Sequence, residues 1–293
     1  MYQTTLNNII MFNGKGLHTG QFCKVVLTPS LPSSGIVFSK LNSANTREYK
    51  LTPYDIDATQ LSTSVNIWGK NYLFTIEHIM SALFGMGIDN VKIYVKGPEI
   101  PALDGSSAPF VKAIKKSGIK IFPIKRYYLK IKKKLTLQFE DKWIEIIPSC
   151  SFKIFFKIDF KDTVINEQKA YYNITPKIYE SCISKARTFG FKREISKLRN
   201  KHLALGGTLN NTIVVDNDKI INKRGLRYHN EFVRHKMLDL IGDLALINFR
   251  ILGYIRAYKS GHVLNNLLSR TILSDRSNYD LIELNSLNKE NSY

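Results

Sequence analysis

The chain has 293 residues, of which 44% are hydrophobic, 23% charged and 11% aromatic, a mixture that excludes disorder, collagen and coiled coil. No apolar run reaches the ~20 residues of a membrane span, and the opening MYQTTLNNIIMFNGKG lacks the regions of a signal peptide. Lys and Arg number 43 against 24 Asp and Glu, so the net charge of +19 fits nucleic acid, an acidic membrane face, a phosphorylated substrate or simply a solvated surface.

A prior of roughly one domain per ~150 residues predicts two domains. Strand-like runs open the first half: CKVVLTP (22–28) and VKIYVKG (91–97). Between them, IEHIMSALFGMG follows Thr75 as a helix ending near Gly85 or Gly87. After the proline-rich loop GPEIPALDGSSAP comes a second helix, FVKAIKKSGI, and then a break at FPIKRYY (122–128) that reads as a linker. YLKIKKKLTL, WIEIIP and FKIFFKIDF (152–160) read as strands. KIYESCISKARTFGF (177–191) starts helical and ends in an aromatic-glycine loop, ALGGTLNN is a turn, and VVDNDKIIN is a short hairpin. A long helix (231–247), the strand GYIRAY and a last helix, GHVLNNLLSRTI, follow. From Ser274 the polar tail is expected to be loosely held.

One segment echoes another. IEHIMSALFG (76–85) matches VRHKMLDLIG (233–242) at His78 and His235, Met80 and Met237, Leu83 and Leu240, and Gly85 and Gly242. Each copy precedes a strand and a helix, which predicts a duplicated α+β unit whose equivalent helices meet at one site.

The long helix carries Glu231, His235, Asp239 and Asp243 at every fourth position, hence on one stripe. Apolar residues cover the rest, so the helix is expected to be buried, where carboxylates need partners or a metal. His235 and Asp239 at i, i+4 offer a nitrogen and an oxygen to one ion, as zinc takes, although spacing alone leaves a solvated face open. A third ligand must come from elsewhere, and the echo nominates His78. Its neighbour Glu77 is either a general base or a dipole-favoured helix-start acid. His262, also at a helix start, is a capping residue or an acid held protonated by Asp243. His18 lies in the glycine-rich turn GKGLHTG, too short a pattern to be a nucleotide loop. The three scattered cysteines (Cys23, Cys150, Cys182) make neither a disulfide framework nor a CxxC zinc site, so a reducing, cytoplasmic home is expected.

The stretches GKGLHTG, TIEHIMSALFGMGIDN, GPEIPALDGSSAPFV, ARTFGF, LALGGTLNN, GLRYHNEFVRHKMLDLIGDL and YKSGHVLNN together resemble the zinc-dependent UDP-3-O-acyl-N-acetylglucosamine deacetylases of lipid A biosynthesis. That resemblance implies hydrolysis of the substrate's N-acetyl group, with His78, His235 and Asp239 as zinc ligands. It further implies Glu77 as the base, His262 as the acid oriented by Asp243, and Thr188 as donor to the oxyanion. Lys236 and Lys259 would face the diphosphate and sugar, Phe160 would stack on uracil, and His18 would join the substrate contacts. Phe189 and Phe191 would line the passage for the acyl chain, within an insert near 189–222. After Phe160 the sequence KDTVINEQ lacks the family's His-Pro, and the loop QLSTSVNI has Ser62 in place of a cysteine.

The expected fold is α+β, a two-domain sandwich of duplicated units with helices packed between two outer sheets. Residues 1–125 form the first domain, 126–273 the second and 274–293 a tail. A monomer is expected, with the acylated UDP-sugar as partner and no nucleic acid, because the basic runs come with no recognised nucleic-acid module. A purely structural zinc fits less well, since such sites usually have four protein ligands. A fused second enzyme is not expected within these 293 residues.

Overall fold

The structure is a computed structural model and describes residues 1–41, 47–58, 61–66 and 72–284. Gln60 and Ile67 of the QLSTSVNI loop and residues 285–293 of the expected tail lie outside them.

Alternating burial makes the first sheet. Strands β1 (Tyr2–Leu6), β2 (Ile10–Lys15), β3 (Phe22–Pro29) and β4 (Ile36–Lys40) come first in the chain. A small antiparallel sheet of β5 (Ile56–Ala58), β6 (Ser64–Asn66) and β7 (Tyr72–Leu73) follows. Helix α1 (Glu77–Gly85) leads to strand β8 (Val91–Lys96), helix α2 (Ala108–Ser117) and strand β9 (Ile119–Lys125). The main sheet has the order β2-β3-β8-β4, antiparallel except for the parallel pair β4–β8. Cys23, Val25 and Leu27 of β3 and Val91, Ile93 and Val95 of β8 all point inward, the period-2 pattern of a half-buried sheet. Antiparallel β1 and β9 form a separate two-stranded sheet.

The second half begins with β10 (Tyr127–Ile131), β11 (Leu135–Phe139), β12 (Lys142–Pro148), β13 (Phe152–Phe160) and β14 (Asn166–Asn173). Next come a single helical turn, α3 (Pro176–Ile178), a π-helical turn over Tyr179–Ile183 and strand β15 (Phe189–Phe191). Helix α4 (Ile195–Asn200) and strands β16 (Ile213–Asp216) and β17 (Lys219–Ile220) complete the expected insert. Helix α5 (Glu231–Leu244), strand β18 (Arg250–Tyr258), helix α6 (His262–Ser274) and strand β19 (Tyr279–Glu283) close the chain. β11, β12 and β18 pair antiparallel in that order, and β13 runs parallel to β18 with β14 beyond it. The start of β18 pairs with β10, which pairs antiparallel with β19.

Two expectations need correction. Ser274 ends α6, and of the residues after it 279–283 are held rather than loose, because β19 pairs with β10 along Tyr127–Ile131. The stretch read as a linker is extended chain in β9 and β10, with Arg126 between them tied to Asp89 at 2.6 Å. Pro123 is tolerated because β9 pairs on one side only, and its position falls at the register shift opposite Tyr2–Thr4.

The two long sequence-matched helices meet in the interior. Every residue of α1 is buried, as are twelve of the fourteen in α5. The Ser81 hydroxyl donates to the Leu238 carbonyl at 2.7 Å, and a Cβ built on Gly242 would fall 2.1 Å from the Glu77 carbonyl oxygen. Only a glycine lets the helix backbones come this close. Among the described residues, no helix is long and apolar enough to cross a membrane.

Candidate active site

That close crossing brings the start of α1 against the middle of α5. His78 Nε2 lies 3.7 Å, and His235 Nε2 3.4 Å, from the same oxygen, Asp239 Oδ1. The ligand atoms of these three residues all lie within 4.8 Å of one another. Asp239 Oδ1 is buried and has no hydrogen-bond partner. A buried, unpartnered carboxylate oxygen facing two imidazole nitrogens fits a cation, and a hydrogen-bonding partner is what most buried polar atoms would otherwise have.

The protonation states agree with ligation. Burial, then the nearby His235, hold His78 down at about 3. Burial also lowers His235. Burial alone would raise Asp239, but the facing histidines and Lys236 carry it down to about 2. Both imidazoles are therefore neutral and the carboxylate is charged, as metal ligands must be. The His235 tautomer follows from its other side: Nδ1 sits 3.0 Å from the Ala186 carbonyl, which can only accept, so Nδ1 carries the proton and Nε2 the lone pair.

A second row of groups runs beside the first. Glu77 Oε1 is 3.9 Å from His262 Nε2, and His262 Nδ1 donates to Asp243 Oδ2 at 2.8 Å. Burial, then the charges of Asp239 and Asp243, push Glu77 up to about 8, with His262 pulling the other way. Burial opposes charge on His262 too, yet Asp243, by charge and hydrogen bond, lifts it to about 9. This row can thus hold a proton at either end near neutral pH.

Thr63 and Asn265 complete the row, and the motifs did not point to them. The Thr63 hydroxyl donates to Asp243 Oδ1 at 2.5 Å, and its backbone N–H donates to Glu77 Oε2 at 3.1 Å. Asn265 Nδ2 donates to Asp243 Oδ2 at 2.8 Å. Thr63 lies just before β6, 180 residues from Asp243, so no spacing rule reaches it. Asn265 lies one turn after His262 within YKSGHVLNN, a signal that helical periodicity offered.

A cavity of about 640 Å³ opens onto these groups, with His235, Asp239, His262, Lys236, Lys259 and Thr188 on its wall. A second, of about 500 Å³, shares Leu61, Thr188 and Phe189 with it and continues past Phe191, Leu198 and Val214. Thr188 therefore stands where the two hollows join. Its N–H donates to the Gly105 carbonyl at 2.8 Å, and its own carbonyl accepts from Ile213. The glycines of the neighbouring motifs allow this closeness. A Cβ at Gly105 would lie 1.7 Å from the Asn211 carbonyl oxygen, and one at Gly206 would lie 2.0 Å from that of Gly16.

The remaining expected residues divide. Lys236 Nζ lies 3.6 Å from Asp239 Oδ2. Lys259 is paired with Asp141 at 2.8 Å and sits 3.6 Å from Asp159. Phe160 packs its ring on Phe189 and Phe191, with centroids 5.8 and 5.5 Å away. His18 is buried on the wall of the second hollow, its Nδ1 without a partner. The turn that carries it is fixed by Glu99, whose carboxylate accepts from the His18 and Thr19 N–H groups at 2.9 and 2.8 Å. Glu231, on the same stripe as His235 and Asp239, faces Arg187 rather than His235.

Known proteins similar to this chain share one description. The family described as UDP-3-O-acyl N-acetylglycosamine deacetylase matches residues 3–274. Relatives named UDP-3-O-acyl-N-acetylglucosamine deacetylase include one from Neisseria meningitidis serogroup A, 42% identical over 287 residues, 97% of this chain and 94% of the relative. Another, from Thioalkalivibrio sulfidiphilus, is 39% identical over 289 residues, 98% of this chain and 95% of the relative. A third, from Vibrio parahaemolyticus, is 40% identical over 281 residues, 95% of this chain and 92% of the relative.

Proposed function

Because the chain belongs to the UDP-3-O-acyl N-acetylglycosamine deacetylase family, we propose that it hydrolyses the N-acetyl group of UDP-3-O-acyl-N-acetylglucosamine in lipid A biosynthesis, releasing acetate and the free 2-amino sugar. The observation that carries this reading is the juxtaposition of two sets, the ligand trio at Asp239 Oδ1 and the proton-handling row Glu77–His262–Asp243.

His78, His235 and Asp239 would hold the metal. Two imidazoles and one carboxylate, with a cavity on the open side, are the donors of a catalytic zinc site. Zinc bound there would supply a Lewis acid that polarises the amide carbonyl and makes water more acidic.

The chain's own residues supply the rest. Glu77, next to His78 and held by the Thr63 N–H, would take the proton of the attacking water as the general base. Amide hydrolysis then stalls unless the departing nitrogen is protonated, because the amine is otherwise a poor leaving group. His262, kept charged by Asp243, would deliver that proton. Thr188 stands at the junction of the hollows, where its hydroxyl can donate to the developing oxyanion, a type of contact typically worth ~3–4 kcal/mol.

The apolar hollow past Phe189, Phe191 and Leu198 suits the acyl chain, with His18 on its wall. Lys236 and Lys259 line the outer cavity, where the sugar and diphosphate would lie, and Phe160 offers what its contacts with Phe189 and Phe191 leave of its ring to the uracil.

The halves read as a duplication. The order β2-β3-β8-β4 parallels β11-β12-β18-β13 in strand direction, α1 and α5 occupy the same place in the series, and the pairs β1–β9 and β10–β19 close each half. On this reading 1–125 and 126–273 are the two domains, and the helices lie between their sheets. A cytoplasmic monomer fits the three unpaired cysteines.

The test is zinc content and acetate release from the acylated UDP-sugar, for wild type and His235→Ala. One zinc per chain with activity, both lost in the variant, is expected. Activity without metal, or metal retained by the variant, would overturn the assignment.

A further inference from the structure

Glu231 is fully buried and takes no part in the two sets above, yet its carboxylate accepts four hydrogen bonds. Arg187 donates its backbone N–H at 3.0 Å and its Nε at 2.9 Å to Oε1, and its NH2 group at 3.2 Å to Oε2. The Arg227 backbone N–H donates to Oε2 at 2.5 Å. Each arginine then leads back to the site. Arg187 separates Ala186, whose carbonyl receives His235 Nδ1–H, from Thr188. The Arg227 guanidinium grips Asp104 Oδ2 at 2.9 Å, the Ser106 hydroxyl at 3.3 Å and the Lys185 carbonyl at 3.0 Å. Between Asp104 and Ser106 lies Gly105, whose carbonyl receives the Thr188 N–H at 2.8 Å.

These contacts close a ring: Glu231, Arg187, Thr188, Gly105, Asp104, Arg227 and back to Glu231. Thr188 is held in it by its backbone, and the Ala186 carbonyl is held one residue away. We propose that Glu231 is a positioning residue for the deacetylation proposed above, fixing through this ring both the Thr188 hydroxyl at the junction of the hollows and the carbonyl that sets the His235 tautomer.

A charge at this position matters for a physical reason. Four donors converge on one carboxylate, and an amide of the same size has only one oxygen to accept them. Glu231→Gln would turn an NH₂ group toward at least one N–H, so the 186–188 backbone must shift. A shift of ~1 Å in a donor is enough to lose most of its effect on rate. The second route runs through His235, where loss of an outer partner typically weakens metal binding ~10–100-fold.

The test compares Glu231→Gln and the more exposed Arg227→Ala, each in wild-type and Thr188→Ala backgrounds, with zinc affinity by chelator competition. In the wild-type background kcat is expected to fall ~10–100-fold for Glu231→Gln and several-fold for Arg227→Ala, with KM little changed. With Thr188→Ala already present and zinc kept saturating, neither should lower kcat much further, and Glu231→Gln alone should weaken zinc binding at least tenfold. Equal losses in both backgrounds, or full kcat in Glu231→Gln, would overturn the proposal. Wild-type protein that binds zinc but releases no acetate would refute the proposed reaction, while the zinc affinity of Glu231→Gln would still decide the ring. Arg227→Ala, a substitution at a half-exposed side chain, keeps the question open to test should Glu231→Gln fail to fold.

Discussion

Substituting Gly242 by alanine sets two effects of opposite sign against each other. In a helix interior, Gly→Ala normally adds about 1 kcal/mol of stability. Here the new Cβ would lie 2.1 Å from the Glu77 carbonyl oxygen, 2.8 Å from its carbon and 3.0 Å from its Cα. All three atoms are backbone, so no side chain can rotate away. Ordinary contact begins near 3.4 Å, and α1 must therefore retreat from α5 by about 1.3 Å at this point. Overpacking of this kind costs about 1–3 kcal/mol, which outweighs the helix gain by about 1 kcal/mol. For a chain of this size that is a fall of a few degrees in Tm. The metal set should suffer far more. His78 follows Glu77 directly, His235 and Asp239 ride on α5, and metal–ligand distances tolerate only about 0.2 Å. Zinc affinity, measured by chelator competition, is expected to drop at least tenfold, and kcat/KM with it. Gly190→Ala is the control, since a Cβ there meets nothing within 4 Å. Wild-type zinc affinity in Gly242→Ala would refute the argument that the helix crossing sets the ligand geometry.

Two further outcomes follow from the proton-handling row. His262 is raised to about 9, so its acid form is present at neutral pH and disappears as pH rises through that value. Asp243→Ala removes the charge and hydrogen bond that do most to raise it, leaving burial to lower it against only the weaker pull of Glu77 and Asp239. The alkaline limb of the kcat/KM profile should then move down by more than one pH unit, with the variant losing most activity above pH 7; an unmoved limb would remove His262 from the acid role. Thr63→Val keeps the backbone N–H to Glu77 but strips the hydroxyl from Asp243, leaving a buried acceptor short of a donor at a cost of about 1–3 kcal/mol. A roughly tenfold loss of kcat is expected, and unchanged turnover would show that His262 and Asn265 suffice to hold Asp243.

What could be read in the sequence was local and periodic. FKIFFKIDF coincides with β13, and the all-round apolar stretch before Leu244 is α5, because alternation and burial leave marks within a few residues. Polar edges were illegible. Asn166–Asn173 is a strand only because it lines up on β13, and Tyr279–Glu283 only because β10 receives it. Pro123 suggested a linker where the chain runs extended along a one-sided edge. At the site, the i, i+4 stripe correctly grouped His235 with Asp239, which lie 3.4 Å apart at their nearest ligand atoms. The same stripe includes Glu231, which turns to Arg187 instead, because helical periodicity assigns a face and cannot say which neighbour covers each end of it. The ion pair of Lys259 with Asp141, 118 residues apart, was equally beyond local pattern.

Several groups that shape this site belong to no side chain. The Ala186 carbonyl sets the His235 tautomer, the Thr63 N–H holds Glu77, and the Gly105 carbonyl anchors Thr188. An alanine scan is blind to all of them: position 186 already is alanine, and its methyl group could be exchanged without touching the oxygen that matters. Exchanging the peptide link for an ester is the substitution that reaches such groups, because it weakens a carbonyl acceptor or deletes an N–H while every side chain stays in place. In this protein, part of the catalytic blueprint is written in the main chain, at positions where residue identity says little about the part played.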